Sequence, residues 1–306
     1  MSYSGKRPLL LSLCLLFLAL ALAPHNAQAH LRYFLQPADI QGSTTPYGDN
    51  EKAGHYVQSH DASIYYEVYG QGRPLVVLHG GLLGSPYELG CLIDRLRSSF
   101  QVIVITSRGH GRSGMGKSPI SLTQKAQDVL AVMHDLGCQR AAFLGFSDGA
   151  YTAYAVAREK PDAVERLVAI GAGSVQEGQF PPTLAIEDLE KLDAAYMEQM
   201  RKIMPEAKLL NTFANNYMAF WNRQNLDQNF FAGIHCPVLL VSGDRDDHAP
   251  LHTMLKAHKS LPNSRLCVVP NASHRVFLDN FPMTWLAVFD FLKTQISELT
   301  RDNKSQ

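Results

Sequence analysis

The feature that most constrains this chain is the pentapeptide Gly145-Phe146-Ser147-Asp148-Gly149, set between the apolar run 141–144 and the small-residue run 150–157. A G-x-S-x-G string is common by chance, so its setting decides what it means. Here a strand pattern precedes it and a helical pattern follows. The serine therefore falls on a strand-to-helix turn, clear of the sheet, where a base and an electrophile can both reach its hydroxyl. Such a turn is too tight for side chains at either end, and glycine at 145 and 149 removes the Cβ atoms that would clash. Ala150, Ala153, Ala155 and Ala157 are small enough for the following helix to pack closely on a sheet.

The flanking chain repeats this alternation. Residues 74–78 and 102–105 are short apolar runs rich in β-branched residues, which suit parallel strands buried on both faces. Helical patterns over 87–96, 123–136 and 150–159 follow successive strands. Further strands are expected at 166–170, 237–242 and 265–269, with closing helices near 251–261 and 283–296, and residues 56–68 read as a hairpin at the sheet edge. The pattern predicts an α/β fold with a mostly parallel, doubly wound sheet of about eight strands.

About sixty-five residues separate the strands at 166–170 and 237–242, far more than the ~2 to 6 of an ordinary strand-to-helix link. Helical periodicity over 186–204 and 207–221, interrupted by Pro205, predicts a small helical cap there. Tyr196, Phe213, Tyr217, Phe220 and Trp221 concentrate in it, some expected to face a cavity. The expected organisation is a leader at 1–29, an extended surface arm at 30–53, a core at 54–173 and 232–298, and a helical cap at 174–231.

Lys6 and Arg7, an uncharged apolar run over 9–23 and Ala27-Gln28-Ala29 have the form of an export signal cleaved after Ala29. At about fifteen residues the run is shorter than the ~18 to 20 that span a bilayer comfortably, so no stable membrane anchor is expected after cleavage. The protein is expected to be periplasmic or secreted. Removing the leader takes two basic residues and no acids, turning 28 against 28 into 26 against 28, a balance that does not call for nucleic acid. The remaining Cys91, Cys138, Cys236 and Cys267 show no metal-knuckle spacing and read as free thiols, although export would permit disulfides.

A serine nucleophile needs a histidine base, and that base needs a carboxylate to fix its tautomer. Gly243-Asp244-Arg245-Asp246-Asp247 follows one expected strand and Pro270-Asn271-Ala272-Ser273-His274 the next, so both groups sit at strand carboxyl ends, where open α/β sheets place ligands. Ser147, Asp246 and His274 run in the order nucleophile, acid, base, and the chain from about 44 to 296 resembles an α/β-hydrolase fold serine hydrolase. The family's usual acid stands three residues after the glycine that ends its strand, which matches Asp246. Asp244 and Asp247 remain competitors.

The resemblance extends to further positions. His79-Gly80-Gly81-Leu82 is similar to the family's oxyanion turn, which implies main-chain donors at Gly81 or Leu82 and at Asp148, with His79 orienting the turn. Residues 106–113 resemble the D-x-R-G-x-G-x-S loop except that Thr106 replaces the aspartate, and Arg108 is expected to organise loops beneath the site. Gly-Phe-Ser-Asp-Gly is similar to the elbow of the biphenyl-hydrolase-like branch, in one member of which the aspartate after the nucleophile binds a substrate ammonium group. Asp148 could bind such a group or be tied up in neighbouring hydrogen bonds. His248 and His252 lack a convincing third ligand, so no metal is assigned.

The expectation is an exported hydrolase that cleaves a small-molecule carboxylic ester through an acyl-enzyme intermediate, without a cofactor. The same residues admit an amino-acid ester hydrolase, thioesterase, lactonase, aminopeptidase or haloperoxidase, or a ligand receptor on the same fold.

Overall fold

The computed structural model describes residues 31–299, so the expected leader lies outside the described residues. An eight-stranded sheet has the order β1-β2-β4-β3-β5-β6-β7-β8. Its strands are β1 (Gly54–Ser59), β2 (Ala62–Tyr69), β3 (Arg73–Leu78), β4 (Phe100–Ile105), β5 (Ala141–Phe146), β6 (Val164–Ile170), β7 (Val238–Gly243) and β8 (Ser264–Val269). β1 and β2 form the expected hairpin and join β4 antiparallel, whereas β4, β3 and β5 to β8 are mutually parallel. The carboxyl ends of six strands therefore open onto one edge.

Helices α1 (Gly90–Leu96), α2 (Leu122–Asp135) and α3 (Asp148–Glu159) follow β3, β4 and β5. After β6 come α4 (Ile186–Leu192), α5 (Ala194–Ile203), α6 (Leu210–Asn222) and α7 (Gln228–Ala232); α8 (Leu251–Ser260) follows β7, and α9 (Val276–Asp279), α10 (Phe281–Lys293) and α11 (Ile296–Leu299) follow β8. The two-residue period of a strand divides the core between the sheet's faces. Val76, Leu78, Ile103, Phe143 and Leu240 pack on one side with the alanines of α3, while Leu75, Val77, Val104, Leu144 and Val241 pack on the other with Leu92, Val288 and Phe291. Each fully buried branched side chain contributes about 1.5–3 kcal/mol.

The segment between β6 and β7 is helical, but the helix expected over 186–204 is two. Asp193 interrupts it with φ −152°, and its Oδ1 accepts the Tyr196 N–H at 3.1 Å to cap α5. A third apolar cluster, built from Ile186, Tyr196, Met197, Met200 and Leu210, holds these helices together.

Residues 31–53 carry turns and no long regular element, yet they do not merely lie on the surface. Tyr47 is fully buried and donates from its hydroxyl to Asp94 at 2.7 Å. The buried Glu67 carboxylate accepts the Gly48 and Asn50 N–H groups. Tyr33 is buried as well. Cys91, Cys138, Cys236 and Cys267 are free, and each is only partly buried. Among the described residues no helix is long and apolar enough to cross a membrane.

Candidate active site

Ser147 stands between β5 and α3 at φ +50° and ψ −119°, a conformation that disfavours any residue with a Cβ. Neighbouring chain holds it there. Its N–H donates to the Ile170 carbonyl at 2.7 Å, and its carbonyl accepts from Ala150 and Tyr151. A Cβ on Gly145 would run into the Ala150 backbone, and one on Gly149 into the Leu78 and His79 carbonyls. The two glycines thus allow the close backbone approaches on which the turn depends.

From the carboxyl end of β8 comes His274, and from that of β7 comes Asp246. His274 Nδ1 lies 2.8 Å from Asp246 Oδ2, the histidine side chain being 16 % exposed and the aspartate fully buried. The other carboxylate oxygen accepts the N–H groups of His248 at 2.9 Å and Ala249 at 2.8 Å. Burial pushes the Asp246 carboxyl pKa up, but the His274 hydrogen bond and these amides outweigh it and leave it below the usual range. The competing acids are engaged elsewhere. Asp244 accepts the Ala272 N–H, joining the two loops, and Asp247 meets His248 Nδ1 at 2.7 Å.

Ser147 and His274 line one cavity of about 490 Å³, together with Gly81, Leu82 and Asp148. Tyr217, Met218 and Trp221 of α6 and Phe180 supply much of its wall, whereas the other cap aromatics singled out in the sequence, Tyr196, Phe213 and Phe220, pack elsewhere. Asp148 is the first residue of α3, so the helix leaves its N–H unpaired. The facing turn is held by two buried side chains. His79 Nδ1 lies 2.6 Å from the Gly80 carbonyl while its Nε2 accepts the Ser107 N–H at 3.0 Å, which fixes the tautomer. Burial lowers the His79 pKa to about 3, so the ring is neutral and serves as a brace. Glu88 Oε1 accepts the Gly80 N–H at 2.8 Å, and burial raises its carboxyl pKa to about 7.

Of the two roles open to the Asp148 carboxylate, the structure displays neighbouring contacts. Oδ2 is paired with the Lys125 ammonium, Oδ1 accepts the Trp221 indole N–H at 3.2 Å, and Tyr217 adds a hydrogen bond. The Lys125 and Asp148 side chains are only 6 % and 3 % exposed. Burial raises the Asp148 pKa, and Lys125, together with His110 and the Tyr217 hydroxyl, outweighs it and leaves the carboxyl below its usual range. Asp148 lines the cavity, and its carboxylate is at the same time paired within the chain.

Lys125 and Glu88 did not stand out in the sequence. Lys125 had a detectable signal, since it shares the apolar stripe of α2 with Ala126, Val129 and Val132, where a lysine needs a buried partner. Arg108 does organise the loops beneath the site, gripping Asp128 through Nε and Nη2 at 2.9 and 2.7 Å and Asp61 through Nη1. Thr106 keeps its main-chain bond to the Tyr65 carbonyl, but its buried hydroxyl has no partner among the described residues.

His248 stacks on His274, with centroids 4.8 Å apart and planes at 22°. Donor atoms of Asp246, His248 and His274 lie within 4.8 Å of one another. Both Asp246 oxygens are already accepting hydrogen bonds, and stacked imidazoles do not aim their nitrogens at a common point, so the donor set is poorly arranged for a metal.

Similarity to known proteins agrees with this geometry. The chain is 26 % identical over 230 residues to the human serine hydrolase BPHL, covering 70 % of this chain and 78 % of that one. It is 28 % identical over 259 residues to the pimeloyl-[acyl-carrier protein] methyl ester esterase of Chromobacterium violaceum, covering 76 % and 99 %. The crystal structure of the enol-lactonase from Burkholderia xenovorans LB400 superposes with a TM-score of 0.65 at 22 % identity, covering 78 % of this chain and all of that one. The alpha/beta hydrolase family matches residues 75–287, well over half the chain, and this protein is a hydrolase belonging to that family.

Proposed function

We propose that this protein is a serine hydrolase that cleaves a small, uncharged carboxylic ester through an acyl-enzyme intermediate. The observation that carries the reading is the His274–Asp246 hydrogen bond at 2.8 Å on the cavity that also holds Ser147. A buried carboxylate on Nδ1 leaves Nε2 as the acceptor, the tautomer a general base needs. In this reading His274 takes the Ser147 proton as Oγ adds to the ester carbonyl. The developing oxyanion is held by main-chain N–H groups of Asp148 and of Gly81 or Leu82. The protonated His274 returns its proton to the departing alkoxide, leaving an acyl-serine. Water then adds with the same proton relay and releases the acid. No step calls on a cofactor.

The Lys125–Asp148 pair favours an uncharged acyl group over an amino-acid ester, because Asp148 offers no unanswered charge. The methyl ester esterase among the relatives is consistent with ester chemistry. We read the leader as directing export with cleavage after Ala29, which N-terminal sequencing of protein recovered outside the cytoplasm would test.

The functional test is labelling with a fluorophosphonate. Ser147 should be modified and Ser147→Ala should not. Short p-nitrophenyl esters should be hydrolysed, with α-amino esters no better than uncharged esters of equal length. Failure of the native chain to label, or label retained in Ser147→Ala, would refute the assignment.

A further inference from the structure

The sequence 31–36 reaches the catalytic cavity from outside the region matched by the family. Residues 33–36 form a turn closed by the Gln36 N–H on the Tyr33 carbonyl at 3.1 Å, and the two residues at its tip, Phe34 and Leu35, both line the cavity. The turn is clasped from two sides. Toward the helical insertion, Arg32 pairs with Asp193 at 2.9 Å, and the Leu35 N–H donates to the same carboxylate at 2.8 Å. The Arg32 main chain exchanges two hydrogen bonds with the Gln199 amide, at 3.0 and 2.9 Å, while Phe34 meets Tyr196 edge to face at 5.6 Å. Toward the site, Arg275, the residue after His274, donates to the Phe34 carbonyl at 2.8 Å and lies over the Tyr33 ring at 5.5 Å.

Leu35 is the unusual member. It is held at φ +57°, where glycine would be unstrained, and 45 % of its surface is exposed. The turn's hydrogen bonds hold this conformation, and they leave the Leu35 side chain on the cavity lining and out of the core. Phe34, Leu82 and Leu83 pack against the apolar cluster of Tyr196 and Met197 and line the cavity with Leu35, so an apolar surface is offered there.

We propose that the turn 33–36 is a specificity-determining wall of this cavity, on which Phe34 and Leu35 receive an apolar chain of the substrate. The proposal rests on the serine-hydrolase reading and adds a substrate class to it: esters whose acyl or alcohol part carries an apolar hydrocarbon chain.

Ethyl and octyl fluorophosphonates test it, because their inactivation rates report chain recognition without requiring turnover. In the native chain the octyl reagent should react faster. The octyl-to-ethyl ratio of second-order rate constants should fall about tenfold in Leu35→Ala and in Leu35→Gly, the scale of an apolar pocket contact. It should fall further in Phe34→Ala/Leu35→Ala. If Phe34→Ala loosens the insertion and the double variant does not fold, the single Leu35 variants decide, since they alter an exposed side chain. A ratio within twofold of the native value in both single variants overturns the proposal, as does a ratio that rises. Failure of the underlying serine-hydrolase reading is distinguishable, because the native chain would then react with neither reagent.

Discussion

Replacing Lys125 by methionine tests the electrostatic foundation of the site. The substitution keeps most of the side chain's volume and removes the cation from Asp148, whose side chain is 3 % exposed. Breaking one half of a buried ion pair costs roughly 3–5 kcal/mol, because the remaining charge is left uncompensated. The indole of Trp221 at 3.2 Å and the Tyr217 hydroxyl still donate to the carboxylate, so the loss should fall near the lower end, about 3 kcal/mol at pH 8. The pH dependence carries the reasoning. In the native chain Asp148 titrates below its usual range, so its contribution is full above the unfolded carboxylate value near ~4 and is lost as pH falls through the depressed folded value. In Lys125→Met burial acts unopposed by the lysine and the shift reverses sign. The variant's deficit should therefore narrow as Asp148 takes up a proton at lower pH. Urea unfolding followed by tryptophan fluorescence at pH 8 and pH 5 measures this, with a cycle through Asp148→Asn isolating the coupling. A deficit below about 1 kcal/mol at pH 8, or one that does not vary with pH, would refute the argument.

Asp246→Asn should leave KM close to native while lowering kcat by about four orders of magnitude, because an amide at this position favours the wrong His274 tautomer; steady-state kinetics on the ester found active would check this, and a loss under tenfold would remove Asp246 from the acid role. Glu88→Gln should preserve the acceptor for Gly80 N–H while removing a carboxyl that burial raises to about 7. Since the native fold binds this proton more tightly than the unfolded chain does, native stability should decline from pH 4.5 to 7 by up to roughly 3 kcal/mol through this group. Urea midpoints for the glutamine variant should accordingly gain on the native protein as pH rises through that window, and parallel curves would contradict the assignment.

Much of the architecture was legible because it rests on local pattern. The apolar runs at 74–78 and 102–105 became β3 and β4, and the small residues after Ser147 became the face that α3 packs against the sheet. The reach of such patterns ended where a polar side chain chose a distant partner. The periodicity over 186–204 could not reveal that Asp193 would leave the helix to cap α5 and hold Arg32. The composition of 30–53 suggested an arm on the surface, because Tyr47 and Tyr33 show no period from which burial can be inferred.

The residues at 145–149 and the order of Ser147, Asp246 and His274 by themselves determined the kind of sheet and the edge on which the candidate chemistry would gather, since glycine spacing and strand alternation act over a few neighbours. Tertiary structure alone decided that Asp244 and Asp247 are engaged away from His274, that Lys125 answers Asp148, and that Phe34 and Leu35 stand in the cavity wall. Those outcomes depend on contacts between segments up to 241 positions apart, as in the bond from Arg275 to the Phe34 carbonyl. Partners of that kind are selected by the burial of charge and the closing of hydrogen bonds once the chain is folded, and no local period encodes them.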